Sequence, residues 1–152
     1  DIAFRIVLDP HDDLRKQSGH ACNAGDAFVI DDEHTAAVGA DDQIVIAARS
    51  LIERGIRTVI VTLGGRGARM ITASEIINIS PVKVTPKDTT GAGDAFIGSF
   101  AHFYSETGDV EASLNKAALY AAHSITRLGT QKAYASLEEF EAFCRDHAPD
   151  RA

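Results

Sequence analysis

Tryptophan is absent from this 152-residue sequence, methionine occurs once, cysteine twice and proline four times. Cys22 and Cys144 stand far apart in no metal-ligand spacing, which points to two reduced thiols in a cytoplasmic protein. Apolar runs fall far short of the ~20 residues that span a bilayer, and no signal peptide opens the chain, so no membrane partner is expected. Asp1 opens the chain and Met70 is its only methionine, so the native start is expected upstream. Basic residues are also in deficit: Lys plus Arg is 15 against 22 for Asp plus Glu, a formal net charge of −7. That field repels polyanions, so no nucleic-acid partner is expected; an anionic ligand binds only where local donors outweigh it. No Gly-Lys pair occurs, which excludes a P-loop, and Gly91-Ala92-Gly93 lacks the third glycine of a dinucleotide fingerprint.

What remains is ordinary globular composition, 45% hydrophobic and 24% charged, at a length that buries roughly two thirds of its unfolded surface without disulfides. Ala3–Leu8 and Ala27–Ile30 read as short strands, with a short helix and loop expected across His11–Asp26. Ile44, Ala47, Ala48, Leu51 and Ile52 repeat at helical spacing and predict a helix from Asp41 to Arg54, ended by Gly55. Thr58–Leu63 is the strongest strand, broken by Gly64-Gly65-Arg66-Gly67. Shorter β segments are expected at Ala68–Thr72, Glu75–Ile79 and Val82–Val84. After Pro86 the pattern turns helical. One helix is expected from Gly91–Asp94 to about Ser105, with Phe96, Phe100 and Phe103 as its core stripe. A second, capped by Asp109, carries Val110, Leu114, Ala117, Ala121 and Ile125 and is expected to end near Gly129. A third starts at Ser136, which forms a capping box with Glu139. Strands alternating with helices imply an α/β fold with a parallel-type sheet and helices on its faces.

The stretch Lys87–Phe96 (KDTTGAGDAF) carries the most chemistry. Gly91 and Gly93 leave backbone N–H groups open to close approach, and the following helix points its positive end at the same spot, which makes an anion hole. Asp94 falls in the first turn, where the helix dipole favours a carboxylate, and can take a proton from a hydroxyl that attacks a phosphoryl group. Taken alone, the same residues also fit a glycine-rich turn with Asp94 as an ordinary N-terminal charge. Elsewhere, His11, His20, Cys22 and His34 match no tight metal motif, and Asp31–Glu33 reads as a solvated loop. His102, His123 and His147 fall on predicted helices as surface or packed residues.

The window Asp88–Gly98 (DTTGAGDAFIG) resembles the C-terminal signature of the ribokinase-like sugar kinases of the phosphofructokinase B (PfkB) type. Gly55–Ala68 (GIRTVIVTLGGRGA) is similar to that family's strand and nucleotide-phosphate turn. Ser124–Gln131 (SITRLGTQ) is similar to the segment closing its nucleotide and monovalent-cation sites. These blocks keep the family's order and spacing, so the resemblance covers essentially the whole chain, nearest the ribokinase branch. It implies a ribokinase-like layered α/β/α sandwich with a mostly parallel sheet. Residues 1–152 would form a single ATP-binding C-terminal portion. It also implies ATP-dependent phosphorylation of a sugar hydroxyl, with Asp94 as catalytic base and Gly91, Ala92 and Gly93 as the anion hole. Thr62, Gly64, Gly65, Arg66 and Gly67 would line the ATP phosphates and ribose, with Gly93 and Asp94 at the γ-phosphate and Mg²⁺ on the nucleotide. Asp88 and the carbonyls of Thr90, Ser124, Arg127 and Gly129 would hold K⁺.

The chain departs from the family pattern in places. Asp32-Glu33-His34-Thr35 stands where the family has Asn-x-x-Glu, Ala118 where an adenine-contacting Asn or His is common, and Ala133 where a cation-site Ser is common. The resemblance implies that the family's N-terminal half, with most sugar-binding residues and a β lid, is expected to lie outside these 152 residues. These departures motivate a second reading, a non-catalytic remnant acting as a nucleotide-binding or protein-interaction module. Fewer strands also leave a sheet edge open to pairing with a second copy, a route to a homo-oligomer.

Overall fold

The computed structural model describes residues 4–6, 27–30 and 41–147. The chain divides into two compact units, Asp1–Asn78 and Ile79–Ala152. The first is built on a five-stranded sheet whose spatial order follows the chain: β1 (Phe4–Ile6), β2 (Ala27–Ile30), β3 (Thr58–Thr62), β4 (Ala68–Thr72) and β5 (Ile76–Ile79). β1 to β3 run parallel, with Phe4 opposite Ala27 and Ala27 opposite Thr58. Parallel neighbours need a long crossover, and helix α1 (Asp41–Glu53) lies in the one between β2 and β3. β4 then returns antiparallel, Thr62 facing Ala68, so a short loop joins it to β3.

β-branched residues dominate β3 because it is covered on both sides: Val59, Ile60 and Val61 are all fully buried. Val59 and Val61 pack with Ile71, Leu63 and, from α1, Ile44 and Ala48. Each such aliphatic side chain contributes roughly 1.5–3 kcal/mol when fully buried. Ala47, expected on the apolar face of α1, is exposed instead, and Val45 joins the cluster from the buried side.

The second unit is helical: α2 (Ala92–Thr107), α3 (Val110–Ser124) and α4 (Leu137–His147). Ala95, Phe96, Ser99, Phe100 and Phe103 form the buried face of α2, so the expected phenylalanine stripe is core. Gly108 ends α2 in the left-handed region at φ 68°, its N–H bonded to the Tyr104 carbonyl, and Asp109 caps α3 by accepting from Ala112 N–H at 3.0 Å. Phe103, Leu119 and Phe140 bring the three helices together, with Val82 against them.

Two expected elements differ. Val82–Val84 forms no strand, because Pro81 and Pro86 bracket it and proline has no N–H to give a ladder. α3 stops at Ser124 rather than near Gly129. There the Ser124 and Thr126 hydroxyls bond back to the Ala121 and His123 carbonyls, and Thr126 N–H bonds to the His123 carbonyl three residues back, tightening the last turn out of helix.

Candidate functional site

The start of α2 is shaped by Gly91, which sits at the cap in the left-handed conformation at φ 78°. A side chain there would be strained, and its Cβ would lie 3.2 Å from Thr130 Cγ2. Ala92 N–H bonds back to the Thr89 carbonyl at 3.2 Å, and the first bond along the helix runs from Ala95 N–H to the Gly91 carbonyl at 2.9 Å. Between them, helix geometry leaves the Gly93 and Asp94 N–H groups without an acceptor inside α2, and the glycine cap has no side chain to offer one. Asp94 stands in this first turn with an exposed side chain, on the rim of a cavity of about 370 Å³. Gly98, His102, Tyr120, Tyr134 and Phe140 are among its walls. Nothing in the sequence pattern marked this cavity; it arises where α2, α3 and the approach to α4 meet.

Asp88 is fastened on both oxygens. Oδ1 accepts the Thr90 N–H at 3.0 Å, and Oδ2 accepts the Gly129 N–H at 2.9 Å across 41 residues of chain. Hydrogen bonding from Thr90, side chain first and then backbone, and from Gly129 holds this carboxyl below the usual carboxylate range. The structure therefore brings Asp88, Thr90 and Gly129 together, Gly129 through its amide. The Ser124 carbonyl accepts the Arg127 N–H at 3.3 Å. The Ile125 carbonyl, unmarked in the sequence, receives the N–H groups of Lys87 at 2.7 Å and Asp88 at 3.2 Å.

Arg127 also pairs through its side chain: Nη2 donates to Glu139 Oε1 at 2.8 Å. The other Glu139 oxygen accepts Ser136 N–H at 2.9 Å, and Glu139 N–H returns to Ser136 Oγ at 3.3 Å, which is the expected capping box. The Arg127 guanidinium, with help from the Ser136 amide, pulls the Glu139 carboxyl down to about 2.

Thr62 and the glycine turn belong to the first unit. Gly64–Arg66 forms a single 3₁₀ turn inside the β3–β4 loop, closed by Leu63 N–H to the Gly67 carbonyl at 2.7 Å and Gly67 N–H to the Gly64 carbonyl at 3.1 Å. Gly64 and Gly67 take φ of 53° and 91°, the left-handed range that favours glycine, whereas a Cβ on Gly65 would meet nothing within 4 Å. Thr62 is buried at the end of β3, and Gly64, Gly65 and Arg66 are exposed. Such a turn beyond the carboxyl end of a parallel strand is where open α/β sheets bind ligands.

His102, His123 and His147 lie on helices as expected: His102 is exposed near Glu106, His123 is buried with Nδ1 unpartnered, and His147 stacks on Phe143. Cys144 is a free, half-buried thiol, and burial pushes its pKa up. Among the described residues no group of three or more His, Cys, Asp or Glu side chains is placed to hold a metal ion. His11, His20, Cys22, His34, the Asp31–Thr35 segment and the helix expected in His11–Asp26 lie outside the described residues.

A sequence model of the pfkB family carbohydrate kinases matches residues 23–136. The deoxyribokinase of Salmonella typhimurium is 41% identical over 146 residues, which is 92% of this chain and 47% of that protein. Among solved structures, the ribokinase of Thermotoga maritima superposes with a TM-score of 0.73 at 31% identity, over 92% of this chain and 48% of that one. An E. coli protein described as a ribokinase II, in complex with ATP and Mg²⁺, superposes with a TM-score of 0.68 at 27% identity, over 81% and 40%. The chain spans about half the length, or less, of these proteins. They share the ribokinase-like fold expected from the sequence. No described helix is long and apolar enough to cross a membrane.

Proposed function

This chain belongs to the pfkB family of carbohydrate kinases, and on that premise we propose that it supplies the nucleotide-handling part and the catalytic base of an ATP-dependent sugar kinase. The observation that carries the reading is the left-handed Gly91 cap, which leaves two helix amides free beside the exposed Asp94 carboxylate. Asp94 takes the proton of a sugar hydroxyl as that oxygen attacks the γ-phosphorus; the bond from phosphorus to the β–γ bridging oxygen breaks and ADP leaves. Negative charge on the moving phosphoryl group meets the Gly93 and Asp94 N–H groups and the positive end of α2. Gly91 and Ala92 set the direction of those amides. Thr62, Gly64, Gly65, Arg66 and Gly67 line the nucleotide phosphates and ribose.

A monovalent cation such as K⁺ fits the donor set around Asp88. Asp88 accepts one N–H on each oxygen and a further hydrogen bond from the Thr90 side chain, which leaves the carboxylate one lone pair, and the Thr90, Arg127 and Gly129 carbonyls belong to the two segments this carboxylate joins. The Ser124 carbonyl, already accepting from Arg127, is the weaker ligand of the set. Mg²⁺ would ride on the nucleotide phosphates, as this ion commonly does, where it neutralises charge during transfer.

Calorimetric titration with Mg-ATP in potassium buffer tests the reading. Saturable heat that weakens when potassium is withdrawn is expected; a folded sample giving no heat at millimolar nucleotide contradicts it. Ala133 favours the second reading, a nucleotide-binding or protein-interaction module without transfer. It is 1% exposed and offers no side-chain oxygen where the family resemblance puts a cation-site serine. A stable oligomer blind to nucleotide in a sizing experiment would select the protein-interaction form of that reading.

A further inference from the structure

The turn over residues 125–130, between α3 and the 3₁₀ turn Gln131–Ala133, holds no helix or strand, and Leu128, Gly129 and Thr130 are exposed. It nevertheless lies directly against the start of α2. Gly129 N–H reaches Asp88 Oδ2 at 2.9 Å, the Ile125 carbonyl takes the Lys87 and Asp88 amides, and Thr130 Cγ2 lies 3.2 Å from where a Gly91 Cβ would stand. Whatever fixes this turn therefore fixes Gly91 and the amides that follow it.

Its one described side-chain tie to α4 is the Arg127–Glu139 pair at 2.8 Å. A capping box uses a single glutamate oxygen, here Oε2 on Ser136 N–H, and the Glu139 amide is held by Ser136 Oγ. The carboxylate is thus clamped on the first turn of α4 before Oε1 meets Arg127, so the pair ends on a rigid post. Its side chains are 38% and 43% exposed, where an ion pair adds little to global stability. The pair therefore matters through position. We propose that Arg127 and Glu139 are positioning residues: their ion pair is a strut from α4 that holds the 125–130 turn on Asp88 and Gly91 and thereby aligns the free amides of α2. The effect on nucleotide rests on the function proposed above; the effect on the turn does not.

Glu139→Gln in the full chain keeps an oxygen for Ser136 N–H and removes the charge facing Arg127. Amide hydrogen exchange followed by NMR should quicken at Gly129 and Thr90 by about tenfold, as expected when a local tie is lost. The Phe140 amide, bonded to the Ser136 carbonyl at 3.0 Å, should keep its protection and so report that α4 remains folded. Arg127→Met should do the same, the double variant should be no worse than either single one, and Arg127→Lys, which keeps charge without the planar fork, should fall between. Mg-ATP affinity, read by calorimetry on the same samples, should weaken by roughly threefold to tenfold, because small misplacements of binding groups are costly. Unchanged exchange at Gly129 in both single variants overturns the strut, whatever the nucleotide result. Faster exchange with unchanged Mg-ATP affinity overturns the alignment of the amides. A wild-type chain that binds no Mg-ATP, yet whose Gly129 exchange responds to both variants, leaves the strut standing and overturns the proposed function.

Discussion

Replacing Gly91 by alanine probes the turn on which the site depends. At φ 78° an alanine pays the left-handed penalty, about 1–2 kcal/mol. Its Cβ would also press on Thr130 Cγ2 at 3.2 Å, a contact that must open by a few tenths of an ångström. The expected loss is about 2 kcal/mol, which for a chain of this size lowers the melting temperature by roughly 4–8 °C. Gly98→Ala is the matched control. It lies inside α2, has no positive φ, and its Cβ would meet nothing within 4 Å, so alanine there should raise stability by about 0.5–1 kcal/mol. Thermal and urea melts of the two variants should move in opposite directions. Adding Thr130→Ser to Gly91→Ala removes the pressed methyl but leaves the backbone penalty, so recovery should be partial. A Gly91→Ala protein as stable as wild type, or fully rescued by Thr130→Ser, would refute the left-handed cap.

In an active preparation, Asp94→Asn should lower turnover by about 10²–10⁴-fold, the usual worth of a positioned base, while Mg-ATP affinity stays within a factor of a few; steady-state kinetics with calorimetry decides. Glu139 titrates at about 2 in the folded chain against 4.5 for a free glutamate, so its contribution to stability is complete above about pH 4.5 and is lost as pH falls through about 2. Arg127→Met should return its NMR titration toward 4.5. Burial, assisted by repulsion from Arg127 and opposed by Glu139, holds the His123 pKa below 6.5. The unfolded chain therefore takes up that proton first, and stability should fall as pH drops below about 6.5. His123→Phe should flatten that slope in urea melts at pH 5 and pH 7.

Much of the frame was legible because local chemistry and tertiary context agree. The run at Thr58–Thr62 has only one stable use, a strand buried on both faces. Ser136 and Glu139 announce a helix start that is made with the hydrogen bonds the motif requires. Val82–Val84 misled because alternation matched a strand while the flanking prolines withheld ladder donors. The end of α3 was misplaced because Gly129 is a strong stop signal, whereas hydroxyl back-bonding at Ser124 and Thr126 ends the helix earlier. At the site, the glycines and Asp94 were legible as a local motif. The Asp88–Gly129 clasp spans 41 residues and the Arg127–Glu139 pair spans 12, so both depend on packing that no local pattern encodes.

The most direct measurement is a titration of the ¹⁵N-labelled chain with Mg-ATP in potassium buffer, following the backbone amides of Gly93 and Asp94. If they receive a phosphate, both signals should shift saturably and together, ahead of any change at the far end of α2 near Thr107. Gly93 and Asp94 resonances that stay in place at saturating nucleotide would contradict the phosphoryl-receiving role of this helix start.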